Sequence, residues 1–135
     1  MALKVYVVPQ HLIQQYWHYA EKYIAKALEK GSGEFTTDQL KLMCVHGQQT
    51  LLLSMEDDKC YNAATVQWIN YPNDRVAYVT YAGGTKLKDI MNQFIKWVKN
   101  NGGTSVQCST GYKAIERLFE RLNFKPKYRL MELKL

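Results

Sequence analysis

The chain has 135 residues, 47% of them apolar, and a formal charge of +6. That length suits a single domain with a real core, and the apolar fraction is ordinary for a globular protein. The positive charge fits an anionic cofactor, an acidic partner or nucleic acid, but the lysines and arginines are scattered, with no basic block, which argues against a nucleic-acid interface.

Leu3–Val8 (LKVYVV) is rich in β-branched and aromatic residues and predicts a first strand. Pro9 ends it and stands where a helix can begin. From there to about Glu29, Leu12, Ile13, Tyr16, Tyr19, Tyr23, Ala27 and Leu28 recur mostly three and four residues apart, which predicts an amphipathic helix. Gly31-Ser32-Gly33 stops it.

A second helix has a capping-box start, Thr36 with Gln39 three residues on. Leu40, Met43 and Cys44 form its inward face, and Gly47 terminates it. Gln49–Met55 and Cys60–Asn70 then read as a hairpin around the polar turn Glu56-Asp57-Asp58-Lys59. After Tyr71-Pro72-Asn73-Asp74, the segment Arg75–Tyr81 (RVAYVTY) is the strongest strand signal in the chain.

Ala82-Gly83-Gly84-Thr85 is expected to break that strand. A helix from Thr85 to about Asn101 follows, its broad apolar face formed by Leu87, Ile90, Met91, Phe94, Ile95, Trp97 and Val98. Beyond Gly102-Gly103 come a short strand at Thr104–Ser109 and a helix at Tyr112–Leu122, with Asn123 as a left-handed cap. Lys127–Leu135 alternates Tyr128, Leu130, Glu132 and Lys134 against Arg129, Met131, Leu133 and Leu135, and is expected to be a final strand.

The order β-α-α-β-β-β-α-β-α-β predicts an α/β fold. Antiparallel hairpins in the front half and a parallel crossover in the back half give one mixed sheet with helices on both faces, a single domain over 1–135. No apolar run approaches the roughly 18 residues needed to cross a bilayer, and the N-terminus carries no signal-like pattern. A cytoplasmic protein, or a virion component loaded from the cytoplasm, is therefore expected.

Cys44, Cys60 and Cys108 form no CxxC pair, so buried free thiols are expected and not a disulfide framework. His11, His18 and His46 are scattered without nearby acidic or thiol partners, so no metal is expected. Cys108-Ser109-Thr110-Gly111 has the form of a nucleophile turn but no base within sequence reach. Glu56, Asp57, Asp58 and His46 are the only bases the pattern offers, and each reads equally as a turn solubiliser or a helix-end residue.

Three stretches carry a family resemblance. They are Tyr71-Pro72 before a strand, Gly83-Gly84-x-x-Leu87 opening a helix that ends in Trp97…Gly102, and Gly111…Leu118-Phe119-Glu120-Arg121-Leu122-Asn123-Phe124-Lys125. With the element order, they make the chain resemble the GNAT (N-acetyltransferase) superfamily, and most of all the small GNAT-like proteins of tailed phages and prophages. The resemblance implies an acyl-CoA-dependent N-acetyltransferase using acetyl-CoA. Its alternative is a catalytically inactive GNAT-fold phage protein that acts in virion assembly or host interaction through protein contacts, located in the host cytoplasm or on the virion.

In that family the cofactor's pyrophosphate rests on backbone N–H groups where the helix after the fourth strand begins, a place favoured by unpaired donors and the helix dipole. The matching residues here are Gly83, Gly84, Thr85, Lys86 and Lys88. The same residues also read as a plain turn with Thr85 as N-cap. Against the family motif Gln/Arg-x-x-Gly-x-Gly/Ala, Thr85 falls on the central glycine and Leu87 on the last small position. The family's thiolate-protonating tyrosine falls on Phe119, which has no proton to give. Tyr112 is the nearest hydroxyl on that helix and Tyr81 the next candidate, with Tyr128 a further one; each also reads as a packing aromatic.

Overall fold

The computed structural model describes residues 2–135. β1 (Lys4–Val7) leads through a 3-10 turn at Gln10–Leu12 into α1 (Ile13–Glu29), with Pro9 just ahead of the turn where its missing N–H costs nothing. The buried face of α1 is Ile13, Trp17, Ala20 and Ile24, at i, i+4, i+7 and i+11. The tyrosines expected to form its stripe, Tyr16, Tyr19 and Tyr23, flank this line half-buried. Trp17 outcompetes them for the centre because its larger apolar ring gains more from burial.

α2 (Thr37–Val45) opens on the expected capping box. The Gln39 N–H donates to the Thr36 hydroxyl, and the Gln39 side chain accepts from the Thr36 N–H. Gly47 closes it at φ 76°. β2 (Thr50–Glu56) and β3 (Lys59–Tyr71) form the first hairpin through Asp57-Asp58, and β4 (Asp74–Gly84) returns along β3. α3 (Leu87–Asn100) carries the chain across the sheet to β5 (Ser105–Cys108), which pairs parallel to β4. α4 (Lys113–Arg121) follows, closed by Asn123 at φ 72°.

The sheet order is β1-β2-β3-β4-β5, antiparallel except for the last pair. Its two faces hold separate cores. Leu51, Leu53 and Ala63 pack under α1 and α2, while Leu52, Val66 and Ala77 pack against Ile90, Phe94 and Val98 of α3. This is the mixed, doubly covered sheet of the GNAT-like layout that the element order predicts.

Three local expectations are corrected. β4 does not break at Ala82 but stays paired with β3 as far as Gly84. α3 starts at Leu87, with Lys86 (φ 62°) at its N-cap, so Thr85 caps nothing. Residues 125–135 form no strand within the chain: they lie exposed, without a partner among the described residues. A strand needs a neighbouring edge as well as alternation, and no edge among the described residues lies against this segment.

Candidate functional site

β4 and β5 part company halfway along β4. Their parallel pairing runs from Val76–Ser105 to Val79–Cys108 and stops, while β4 continues five residues further, held by β3 alone. The parting coincides with a bulge. Val79 pairs with Val66 and Tyr81 with Thr65, leaving Thr80 as the extra residue, and such an insertion bends a strand and sharpens its twist.

The bulge is held by a polar cluster on the α1 side of the sheet. Thr80 donates to Gln49 Oε1 (2.5 Å) and shares a 2.6 Å hydrogen bond with the Thr65 hydroxyl, in a place where Gln49 and Thr65 are buried. Beyond the bulge, no main-chain group of 80–84 has a backbone partner on the side away from β3, among the described residues. Sequence reading missed this cluster; the available signal was polar residues at inward positions of otherwise apolar strands.

The loop at the end of β4 is held tightly. Thr85 N–H donates to Tyr61 O (2.9 Å), and Asn62, itself buried, donates from Nδ2 to Thr85 O (2.8 Å) while accepting from the Ser54 hydroxyl (2.6 Å). The two glycines lie against protein backbone. A Cβ on Gly83 would come within 2.5 Å of Tyr23 O in α1, and one on Gly84 (φ 115°) would collide with Tyr61 O. Their smallness is required by packing against protein backbone, and the Thr85 N–H is already used.

The free donors lie one step further on. α3 has no side-chain cap, and the N–H groups of Leu87 and Lys88 have no partner among the described residues. The ammonium groups of Lys86 and Lys59 lie 4.1 and 4.9 Å from the Tyr61 ring centroid, which concentrates positive charge beside this helix start. Asp89 in the first turn supplies one opposing charge.

A cavity of about 60 Å³ opens between the sheet, α3 and α4. Its walls are apolar: Val5, Leu52, Ala64, Val79 and Ala82 from the sheet, Leu87 and Met91 from α3, and Phe119, Leu122 and Phe124 as a roof. Phe119 packs against Phe124 at a tilt (ring centroids 5.2 Å apart) and serves that roof. Leu87, at the family's last small position, is a wall residue.

The two candidate hydroxyls stand apart in role. Tyr112 is the N-cap of α4, about half exposed, and its N–H donates to the Thr110 hydroxyl (3.1 Å). Tyr81 packs into the α1-side core, edge-on to Phe35 (6.1 Å) and against Gly31. Burial, then the nearby Glu34 carboxylate and Tyr78, push its pKa above the ordinary phenol value. No hydrogen bond links Tyr81 to Tyr112 among the described residues.

Cys44 and Cys60 are buried and Cys108 half-buried, all three free thiols. Burial lifts Cys108 to about 11 and Cys44 to about 12, which leaves Cys108 a poor nucleophile at neutral pH. No group of three His, Cys, Asp or Glu side chains is arranged to hold a metal ion among the described residues. None of their helices is long and apolar enough to cross a membrane.

No family model and no curated protein matches the sequence. Solved structures do match. A possible acetyltransferase from Clostridium difficile 630 is 13% identical with a TM-score of 0.66, over 100% of this chain and 99% of its own. An aminoglycoside acetyltransferase from an uncultured soil metagenomic sample, in complex with trehalose, is 10% identical with a TM-score of 0.71, over 98% and 96%. An aminoglycoside N-acetyltransferase in complex with CoA is 11% identical with a TM-score of 0.68, over 99% and 95%. Identities this low speak to architecture alone, and the architecture is the GNAT-like layout of these solved structures.

Proposed function

We propose that the chain binds acyl-CoA along the free edge of β4 and acts as an N-acetyltransferase. The observation that carries this reading is the parting of β4 and β5 after Val79, which leaves main-chain groups of 80–84 open between a helix start and an apolar cavity. A thread of alternating amides and methylenes finds hydrogen-bond partners on such an edge and apolar cover beside it. One of the similar structures holds CoA, which supports the same ligand here.

In this reading the Leu87 and Lys88 N–H groups and the Lys86 and Lys88 side chains hold the phosphates, in place of a glycine cradle. Bound acetyl-CoA supplies an acyl group already activated as a thioester. The Tyr112 hydroxyl, at the exposed N-cap of α4, provides the proton that the departing thiolate needs, a role Phe119 cannot fill, and is restored by the proton that the acylated amine nitrogen sheds. Tyr81, with its raised pKa, stays protonated and positions the acceptor through Phe35 and the segment between α1 and α2.

Calorimetric titration with acetyl-CoA tests this. The native chain is expected to bind with a micromolar Kd, and the Lys86→Glu/Lys88→Glu pair at least about tenfold more weakly. No heat up to millimolar acetyl-CoA, in protein shown to be folded, sinks the reading.

A second reading rests on Phe119 and the used Thr85 N–H: a GNAT-fold protein without turnover that works through protein contacts, in phage assembly or on a host protein. Binding of acetyl-CoA without thiol release across a panel of amines favours it.

A further inference from the structure

The two edges of the sheet are finished differently. At β1, the Gln93 side chain of α3 covers the outer main chain: Val5 N–H donates to its Oε1 and its Nε2 donates to Leu3 O, both at 2.9 Å. Such a cover blunts an edge that would otherwise recruit another strand. At β5 there is no cover. Ser105–Cys108 has main-chain bonds to β4 only, and no other element satisfies its outer side among the described residues.

The same chain carries a strand without an edge. Every residue from 125 to 135 is exposed and none makes a hydrogen bond to another described residue. Tyr128, Leu130, Met131, Leu133 and Leu135 are 72, 87, 84, 84 and 111% exposed, within a span that alternates like a strand. Scattered exposed apolar residues are normal, but a continuous run of this kind marks a surface that is covered in the working molecule.

The chain leaves α4 in a way that carries the run outward. Asn123 (φ 72°) and the Phe124 N–H to Phe119 O bond (3.0 Å) end the helix. Pro126 then fixes its own φ and biases Lys125 toward extended backbone. Fully extended, the segment reaches about 36 Å, enough to cross to a neighbouring molecule.

We propose that two copies exchange these segments, each laying residues 127–135 as an added strand on β5 of the other. A second copy is the occupant because the open edge and the unpaired strand occur together in one sequence. A twofold arrangement satisfies both in both molecules and leaves neither over, as a closed, isologous dimer requires. The exchange does not depend on acyl-CoA binding.

The test is the mass of the full chain by light scattering on a sizing column, with amide hydrogen exchange at β5 and at 127–135. The expected result is a particle of twice the 15.7 kDa chain mass, with both sets of amides protected. Truncation after Lys125, or the Leu130→Asp/Leu133→Asp pair at full length, is expected to give a folded monomer in which the outward β5 amides exchange freely. If truncation abolishes folding, the full-length pair decides. A full-length monomer overturns the proposal, including one whose 127–135 amides are protected by pairing with its own β5. So does a dimer that survives loss of the segment.

Discussion

At Gly83, an absent side chain lets two layers touch. The position lies under the Tyr23 carbonyl of α1, so even a methyl group would meet backbone at 2.5 Å, and α1 cannot yield without disturbing Trp17, Ala20 and Ile24. Gly83→Ala is therefore expected to cost about 1–3 kcal/mol, the usual range for overpacking, read as a lower urea midpoint. Since a side chain added here would point at α1, Kd for acetyl-CoA in the remaining folded protein should stay within about threefold. A large loss of affinity at unchanged stability would return Gly83 to the cofactor site. Gly84 is a poorer probe, because its positive φ and the Tyr61 carbonyl penalise any side chain.

The thiols give a second test at this scale. Cys44 and Cys108 have folded-state pKa values raised by burial to about 12 and about 11, above the ordinary 9.0. A raised value means that the folded state holds its protons longer than the unfolded one. The associated stability is whole below pH 9 and is lost as pH climbs through 11 and 12. Urea midpoints should thus fall between pH 9 and 11, and Cys44→Ala should flatten that fall even if it lowers the midpoint overall. A midpoint that rises over the same interval contradicts the burial of these thiols.

Among the elements, legibility followed how local each one's cause is. α2 could be read to the residue because its capping box is written in Thr36 and Gln39, and the Asp57-Asp58 hairpin because its turn is tight and polar. The end of β4 was misread. Ala82-Gly83-Gly84 looks like a breaker, yet those small residues let the strand continue between β3 and α1. The bulge at Thr80 was invisible, because it follows from the register of β3 against β4 and from Gln49, 31 residues away. The site was half legible for the same reason. Lys86 and Lys88 flank the start of α3, which comes at Leu87 and not at the expected Thr85, while the pinning of the loop by Asn62 and Tyr61 depends on a strand that only the fold brings alongside. The final segment is the extreme case: its alternation is plain at 127–135, but none of the described residues supplies it a partner edge.

For the molecule as a whole, ligand binding and strand exchange predict separable effects on thermal unfolding. A ligand that binds only the folded state adds about 2.7 kcal/mol at a hundredfold excess over Kd. For a domain of this size that raises Tm by on the order of 10 °C. This rise should follow acetyl-CoA concentration and shrink in Lys86→Glu/Lys88→Glu, at any protein concentration. Exchange of 127–135 instead couples unfolding to dissociation, so Tm without ligand should climb as protein concentration increases. That slope should vanish in the chain truncated after Lys125. Scanning calorimetry of both variants across protein and acetyl-CoA concentrations separates the four cases. A ligand response that survives truncation would assign the cofactor site to the single chain, built from β4, α3 and α4. One that disappears with the segment, in protein that still folds, would mean that the incoming strand beside β5 supplies part of the site.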